Sequence, residues 1–362
     1  MKEIKVKGIE FTAKFKGNGC VNNDDKDQKW FLVKNGLVGG KLEDNILFAK
    51  KSFSTGEDGK IGFKYKVSSE CIRHNMYKKE MDNQVNENHM QIQSVYYNAL
   101  ATPAMIERGY MYTLEPYIEH KKSAFQITDA IEIRDNLRHG VTFDFHSKSI
   151  KKENEAKKVA ENDAGAKSST SIFRKENVGV CDYEAEGFID VDEMQFISFD
   201  ETYDRRAVNV DVKNDKNLYM AALKRNIPNF SCKEGYFYMK NGYTQDEWAE
   251  KGILLSEDVV DYLTKDIIKR ILNVSIWKSG AYFKFDSLVI KYFGENGEET
   301  VEITSDNIDD FKFIPVGKYN EADEEKVKAN LQMHSKLIAE QVKKNQKAKK
   351  SKSSKKETET EE

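Results

Sequence analysis

Two consecutive stretches decide the fold: SEDVVDYLTKDIIKRIL at residues 256–272 and AYFKFDSLVIKYFGENGEETVEIT at residues 281–304. In the first, Val259, Val260, Leu263, Ile267, Ile268, Ile271 and Leu272 recur at helical spacing behind Ser256-Glu257-Asp258. Lys265, Lys269 and Arg270 gather toward its C-terminal end, where the helix dipole favours cations. The spacing predicts a helix capped at Ser256. In the second stretch, Ala281, Phe283 and Phe285 alternate with Tyr282, Lys284 and Asp286, and the extended pattern continues from Leu288 to Tyr292. Gly294-Glu295-Asn296-Gly297 then turns the chain into a further strand over Thr300 to Thr304.

Working outward, the N-terminal region supplies matching pieces. Phe11, Ala13 and Phe15 alternate with Thr12, Lys14 and Lys16 before Gly17-Asn18-Gly19 breaks the run, which predicts a strand with one core face and one basic face. Val67-Ser68-Ser69-Glu70-Cys71-Ile72-Arg73-His74 reads as a helix start. Ser68 is placed to cap, Glu70 suits the positive end of the dipole, and Val67 and Ile72 have the spacing of a hydrophobic staple. Strand and capped helix, then helix, strand, turn and strand, assemble into an α+β body of ferredoxin-like type with a sheet that faces a ligand. Residues 1–320 are expected to form this body, with an irregular polar excursion from it over about 81–175. Residues 321–362 are expected to be a helix with a thin stripe of Val327, Leu331, Ile338 and Val342, leading into a Lys-rich and then acidic low-complexity end.

Composition narrows the function. Hydrophobic residues make up 39%, charged residues 33%, and the mean hydropathy is -0.72, so the expected protein is soluble with a wet surface. No apolar run approaches the ~20 residues needed to span a bilayer, and Met1-Lys2-Glu3-Ile4-Lys5 lacks a signal-peptide core, so a cytoplasmic chain without a membrane partner is expected. Cys20, Cys71, Cys181 and Cys232 have no paired spacing and are expected to be reduced and structural. A net charge of -3 means that any nucleic-acid site must be a local patch. Charge does segregate: residues 148–175 are rich in lysine, and residues 182–201 are mostly acidic.

No catalytic set is visible. The six histidines form no His-Glu-x-x-His pair, and no serine occupies a Gly-x-Ser-x-Gly turn. His74 beside Arg73 could do acid-base work on a phosphodiester, but a phosphate-contacting pair is the stronger reading. Asp190-Val191-Asp192-Glu193 and Asp200-Glu201 read better as solvated carboxylates flanking an apolar strand at 194–199 than as a magnesium site. Gly17-Asn18-Gly19 with Val21-Asn22-Asn23 is either a turn touching an RNA backbone or a plain turn. In Lys167-Ser168-Ser169-Thr170-Ser171-Ile172-Phe173-Arg174-Lys175, hydroxyls and cations suit phosphates and the aromatic suits an unpaired base, with a flexible linker as the alternative. In Asp204-Arg205-Arg206, Arg205 can pair with Asp204 while Arg206 reaches outward.

Several of these stretches, in order, resemble the repeating backbone subunit of type I CRISPR Cascade complexes, the seventh CRISPR-associated, RAMP-like family, in its minimal type I-F variant. They are Gly17-x-Gly19-x-Val21-Asn22, Cys71-Ile72-Arg73-His74, Arg108-Gly109-Tyr110 and Ser169-Thr170-Ser171-x-Phe173. Gln195-Phe196-Ile197-Ser198-x-Asp200 running to Tyr203-Asp204-Arg205, Gly252-Ile253-Leu254-Leu255 and Gly280-Ala281-Tyr282 complete the set. The match is poor over 81–98 and 144–166 and absent after about residue 321.

The resemblance implies an RNA-recognition-like (RRM-like) palm with inserted finger and thumb elements. It also implies head-to-tail copies along the guide RNA (crRNA), target DNA paired through that guide, a cap subunit, a guide-processing endonuclease and a recruited helicase-nuclease. No cofactor besides the bound RNA and no catalysis are expected. The RNA-contact residues expected from the residue reading and the resemblance together are Lys14, Lys16, Asn18, Asn22, Ser69, Arg73, His74, Arg108, Lys121, Lys122, Lys167, Ser168, Ser169, Phe173, Arg174, Arg206 and Lys278. The rival readings are a RAMP-type endoribonuclease using His74 or an acidic residue, and a guide-free decoy that mimics the subunit.

Overall fold

The structure is a computed structural model that describes residues 2–19, 21–22, 26–37, 46–81, 93–114, 117–133, 139–144, 173–199, 206–208, 215–239, 249–278, 280–294, 297–317, 319–329, 332–333 and 336. Its centre is a nine-stranded antiparallel sheet. The strand Gly8–Asn18 lies in the middle, flanked by Ala281–Gly294 on one side and Cys181–Asp190 on the other. Beyond Cys181–Asp190 come Phe125–Ile127 and Ala130–Glu132, then the hairpin Ile61–Val67 and Lys51–Thr55. Beyond Ala281–Gly294 come the edge strand Ser275–Lys278 and the hairpin partner Gly297–Ile303. A smaller sheet joins Phe196–Ser198, Glu250–Leu255, Cys232–Met239 and Tyr319–Glu321.

Alternation explains why one face of the central sheet is covered. Ile9, Phe11, Ala13 and Phe15 from the middle strand point into the core with Tyr183, Ala185, Phe283, Leu288 and Ile290. The helix Glu257–Leu272 adds Val259, Val260, Leu263, Ile267, Ile268 and Ile271, all buried, and each such side chain contributes roughly 1.5–3 kcal/mol by leaving water. The helix Ser69–Met81 packs beside it through Ile72, Met76 and Tyr77. The helix, strand, turn and strand expected after Ser256 are all present. Ser256 occupies the N-cap position, but its side chain makes no cap hydrogen bond. The Ser256 carbonyl accepts the first helical hydrogen bond, from the Val260 amide at 3.0 Å.

Two expectations are corrected. Within the expected excursion, Tyr96, Tyr97, Leu100, Ala104, Ile106, Phe125 and Ala130 are all buried in the main core cluster. Scattered polar residues lie between these anchors and disguise them. The body also continues past residue 320. Tyr319 stacks on Phe196 with ring centroids 4.8 Å apart, and Val327 and Ala322 are buried beside Ala249 and Tyr236. Among the described residues Cys71, Cys181 and Cys232 form no disulfide, and Cys181 Sγ donates to Glu132 Oε1 at 3.5 Å. Among the described residues no helix is long and apolar enough to cross a membrane.

Candidate nucleic-acid interface

The end of the middle strand, the start of the Ser69–Met81 helix and the turn after the helix Pro103–Arg108 meet at one edge of the body. Gly19 makes the first junction. Its φ of 76° is left-handed, its amide donates to the Val178 carbonyl at 2.7 Å, and a Cβ there would lie 2.8 Å from the Ala281 Cβ. Only glycine lets the strand end pack this closely on the Gly280–Ala281 turn. Asn22 follows and donates from Nδ2 to Ser68 Oγ at 2.7 Å, which ties the loop to the helix start.

Ser68 caps as expected: its Oγ accepts from the Cys71 amide at 3.4 Å and its carbonyl from the Ile72 amide at 3.1 Å. The adjacent helix amide is already taken. Ser69 N–H donates to Asp129 Oδ1 at 2.8 Å, and Asp129 also meets Lys66 Nζ at 2.8 Å. Burial acts to raise the Asp129 carboxyl, but the Lys66 ammonium and the Ser69 amide outweigh it and hold the group below the usual carboxylate value. A phosphate on the Ser69 amide would have to displace this internal anion.

One turn further the surface becomes basic. Arg73 Nη2 donates to the Arg108 carbonyl at 3.1 Å and to Ser123 Oγ at 3.4 Å. The chain after Arg108 turns through Gly109, whose φ is 68° and whose missing Cβ would lie 2.4 Å from the Lys121 carbonyl and 2.8 Å from the Lys122 carbonyl carbon. This close approach sets the Arg108 backbone beside Lys122. Arg108 is half-buried, and its guanidinium is held below its ordinary value first by burial and then by the positive charge of Arg73. His74 and Lys122 are exposed. Burial pushes the Cys71 thiol up, while the charges of Lys278 and Lys50 act the other way. Arg73 and Arg108 act on each other as like charges on this edge, and an anion there relieves that repulsion.

A buried ion network supports this edge from below. Glu107, fully buried, lies 3.3 Å from Arg270 Nε, and Arg270 also meets Asp266 at 2.6 Å and the Tyr77 ring at 4.8 Å. It ties the Arg108 helix and the Ser69–Met81 helix to the long helix Glu257–Leu272.

The other expected contact residues lie elsewhere. Lys14 and Lys16 point to the open face of the central sheet, where Lys14 lies 3.9 Å from Glu184 and Lys16 lies 2.7 Å from Asp286. The predicted basic face is thus balanced by carboxylates from the flanking strands. Asn18 is in register with Tyr282 on that face. Lys121 is 3% exposed and donates to the Glu193 and Phe196 carbonyls at 3.2 and 3.4 Å. Burial lowers its pKa, and it is a structural lysine with no reach to a phosphate. Arg206 is half-buried, its carbonyl accepting from the His120 amide at 2.8 Å.

Lys167, Ser168 and Ser169 lie outside the described residues, as do the side chains of Phe173 and Arg174 in the strand Phe173–Val178. Asp190, read as a solvated carboxylate, is the N-cap of the helix Val191–Gln195, its Oδ1 accepting from the Glu193 amide at 2.9 Å, and Asp192 is buried. Among the described residues no group of three or more His, Cys, Asp or Glu side chains is placed to hold a metal ion. Sequence reasoning missed Lys50 and the exposed Trp277. The signal for Trp277 was the alternation in Ser275–Lys278, where Ile276 is buried and its neighbours are not.

Comparison with known proteins follows this geometry. Residues 60–323 match the family model described as type I-Fv CRISPR-associated protein Cas7fv-like. No curated protein matches the chain. A solved structure described as a CRISPR RNA-guided surveillance complex is similar at 10% identity over 92% of this chain and 84% of that chain, with a TM-score of 0.34. Another, described as the pre-nicking form of such a complex, is similar at 9% identity over 80% and 79%, also with a TM-score of 0.34. The family match covers most of the chain and includes the Arg73 and Arg108 motifs, and the chain belongs to the type I-Fv CRISPR-associated Cas7fv-like family.

Proposed function

We propose that this protein is a non-catalytic backbone subunit of a CRISPR surveillance complex and grips the phosphates of a guide RNA along its Arg73 edge. Family membership sets the class, and the observation that carries the binding mode is the convergence of Arg73, Arg108 and Lys122 around one backbone junction. Phosphates are held by cations irrespective of sequence, while base pairing reads the target DNA. The strand order 281–294, 8–18, 181–190, then 125–127 and 130–132, with helices 69–81 and 257–272 on the covered face, supports a ferredoxin-like palm. Copies stack head-to-tail on the RNA, with a cap subunit, a guide-processing endonuclease and a recruited helicase-nuclease as partners.

The test uses Lys122→Ala, because Lys122 is exposed and its loss leaves the fold intact. Binding to single-stranded RNA across a salt series should weaken similarly for all sequences, with the slope of log affinity against log salt shallower by up to ~0.7. Arg73→Ala should do the same. An unchanged slope in both variants would refute the binding mode. An RNA-cleaving activity lost in His74→Ala would replace it with the ribonuclease reading.

A further inference from the structure

Trp277 has no structural role that accounts for its exposure. It is 72% exposed on the edge strand Ser275–Lys278, whereas the alternate residue Ile276 is buried. Its indole N–H donates to Ser275 Oγ at 3.0 Å, which fixes the ring plane. Tyr282, directly across the strand pair, sits with its ring centroid 5.4 Å away and tilted by 39°. Tyr282 is in turn in register with Asn18, so an indole, a phenol and an amide form one row across three adjacent strands of the open face.

The neighbouring row, ~7 Å along the strands, carries Lys284 and Lys16 in register. Lys284 Nζ lies 6.0 Å over the Tyr282 ring, and Lys278 follows Trp277 directly and is exposed. Lys16 is held by Asp286, but no carboxylate among the described residues forms an ion pair with Lys278 or Lys284. The other exposed tryptophan with a described side chain, Trp30, is covered differently: Lys34 Nζ lies 4.3 Å over its ring.

Resting on the reading of this protein as a guide-RNA subunit, we infer that Trp277 and Tyr282 form a stacking platform for one unpaired base of single-stranded nucleic acid. A flanking phosphate is neutralised by Lys284. The occupant follows from charge and shape. An apolar protein surface docks on a contiguous apolar patch, and here a lone pair of indole and phenol stands beside an ammonium group, which suits the flat π-face of a base beside a phosphate.

The test measures binding of full-length protein to short oligouridylate, its thymidine DNA equivalent and an abasic version of the RNA. Trp277→Ala should weaken binding to the base-bearing strand by about 5- to 150-fold, with an unchanged salt slope, because stacking releases no counterions. It should leave the abasic strand unaffected. Trp277→Phe should recover most of the loss, which controls for folding. A loss confined to RNA assigns the platform to the guide, and a loss shared by DNA assigns it to unpaired strands in general. Unchanged affinity in Trp277→Ala, with Lys122→Ala still flattening the slope, overturns the platform and leaves the phosphate edge standing. A change in sedimentation of RNA-free protein with no change in affinity overturns it in favour of a subunit contact. Loss in Trp277→Ala with no effect of Lys122→Ala supports the platform and removes the Arg73 edge.

Discussion

The open face of the central sheet and the Arg73 edge carry the same residue types in opposite arrangements. On the open face Lys14, Lys16 and Lys291 each lie opposite a carboxylate, Glu184, Asp286 and Glu10, at 3.9, 2.7 and 3.9 Å. On the edge, Arg73 donates to a carbonyl and a hydroxyl, and Arg108 feels Arg73 as a like charge. A sheet brings neighbouring strands into register, so charges placed by alternation meet partners and cancel. A helix start meeting a glycine turn brings two like charges, Arg73 and Arg108, close together. Counting lysines on a strand therefore says little about where a polyanion sits.

The two regions also differ in what holds them, and the largest expected effect tests that. Arg270→Ala leaves Glu107 buried without its counter-charge, and such removals cost about 3–5 kcal/mol. Chemical denaturation should register this loss, with RNA affinity falling in parallel because the Arg108 helix loses its anchor. Lys16→Ala, on the open face, removes an exposed pair and should cost less than about 1 kcal/mol. Equal costs in the two variants would erase the distinction between a supported edge and a merely paired face.

An intermediate effect concerns Asp129, which occupies the helix amide next to the edge. Its folded-state pKa is depressed below the unfolded value, so it contributes stability above that value, near pH 4, and loses it as pH falls through the folded pKa. Melting temperature should drop on acidification below about pH 4, and Asp129→Asn should flatten that drop. The smallest effect is expected at Glu184→Gln. It releases Lys14 in the middle of the open face, away from both the Arg73 edge and Trp277, and RNA affinity should stay within error. A clear gain in affinity would show that the polyanion crosses the face.

Much of the fold was legible in local pattern. The period of Val259 to Ile271, the alternation of Phe11 to Phe15 and of Ala281 to Phe285, and Ser68 at a helix start are consequences of one residue's neighbours along the chain, and they form as read. Arg73 and Arg108 were legible as candidates for the same reason, through short motifs. What the sequence determined by itself was thus the α+β composition, the main helix and the motif order that marks the family. Tertiary structure decided the rest. It paired Lys16 with Asp286, 270 positions away, buried Lys121 against two carbonyls, and filled the Ser69 amide with Asp129. It also drew Tyr96, Tyr97, Leu100, Ile106 and Phe125 into the core and set Trp277 beside Tyr282. The reason is physical: whether a charge is free, paired or buried depends on which strand lies next to it, and strand order is a property of the whole chain.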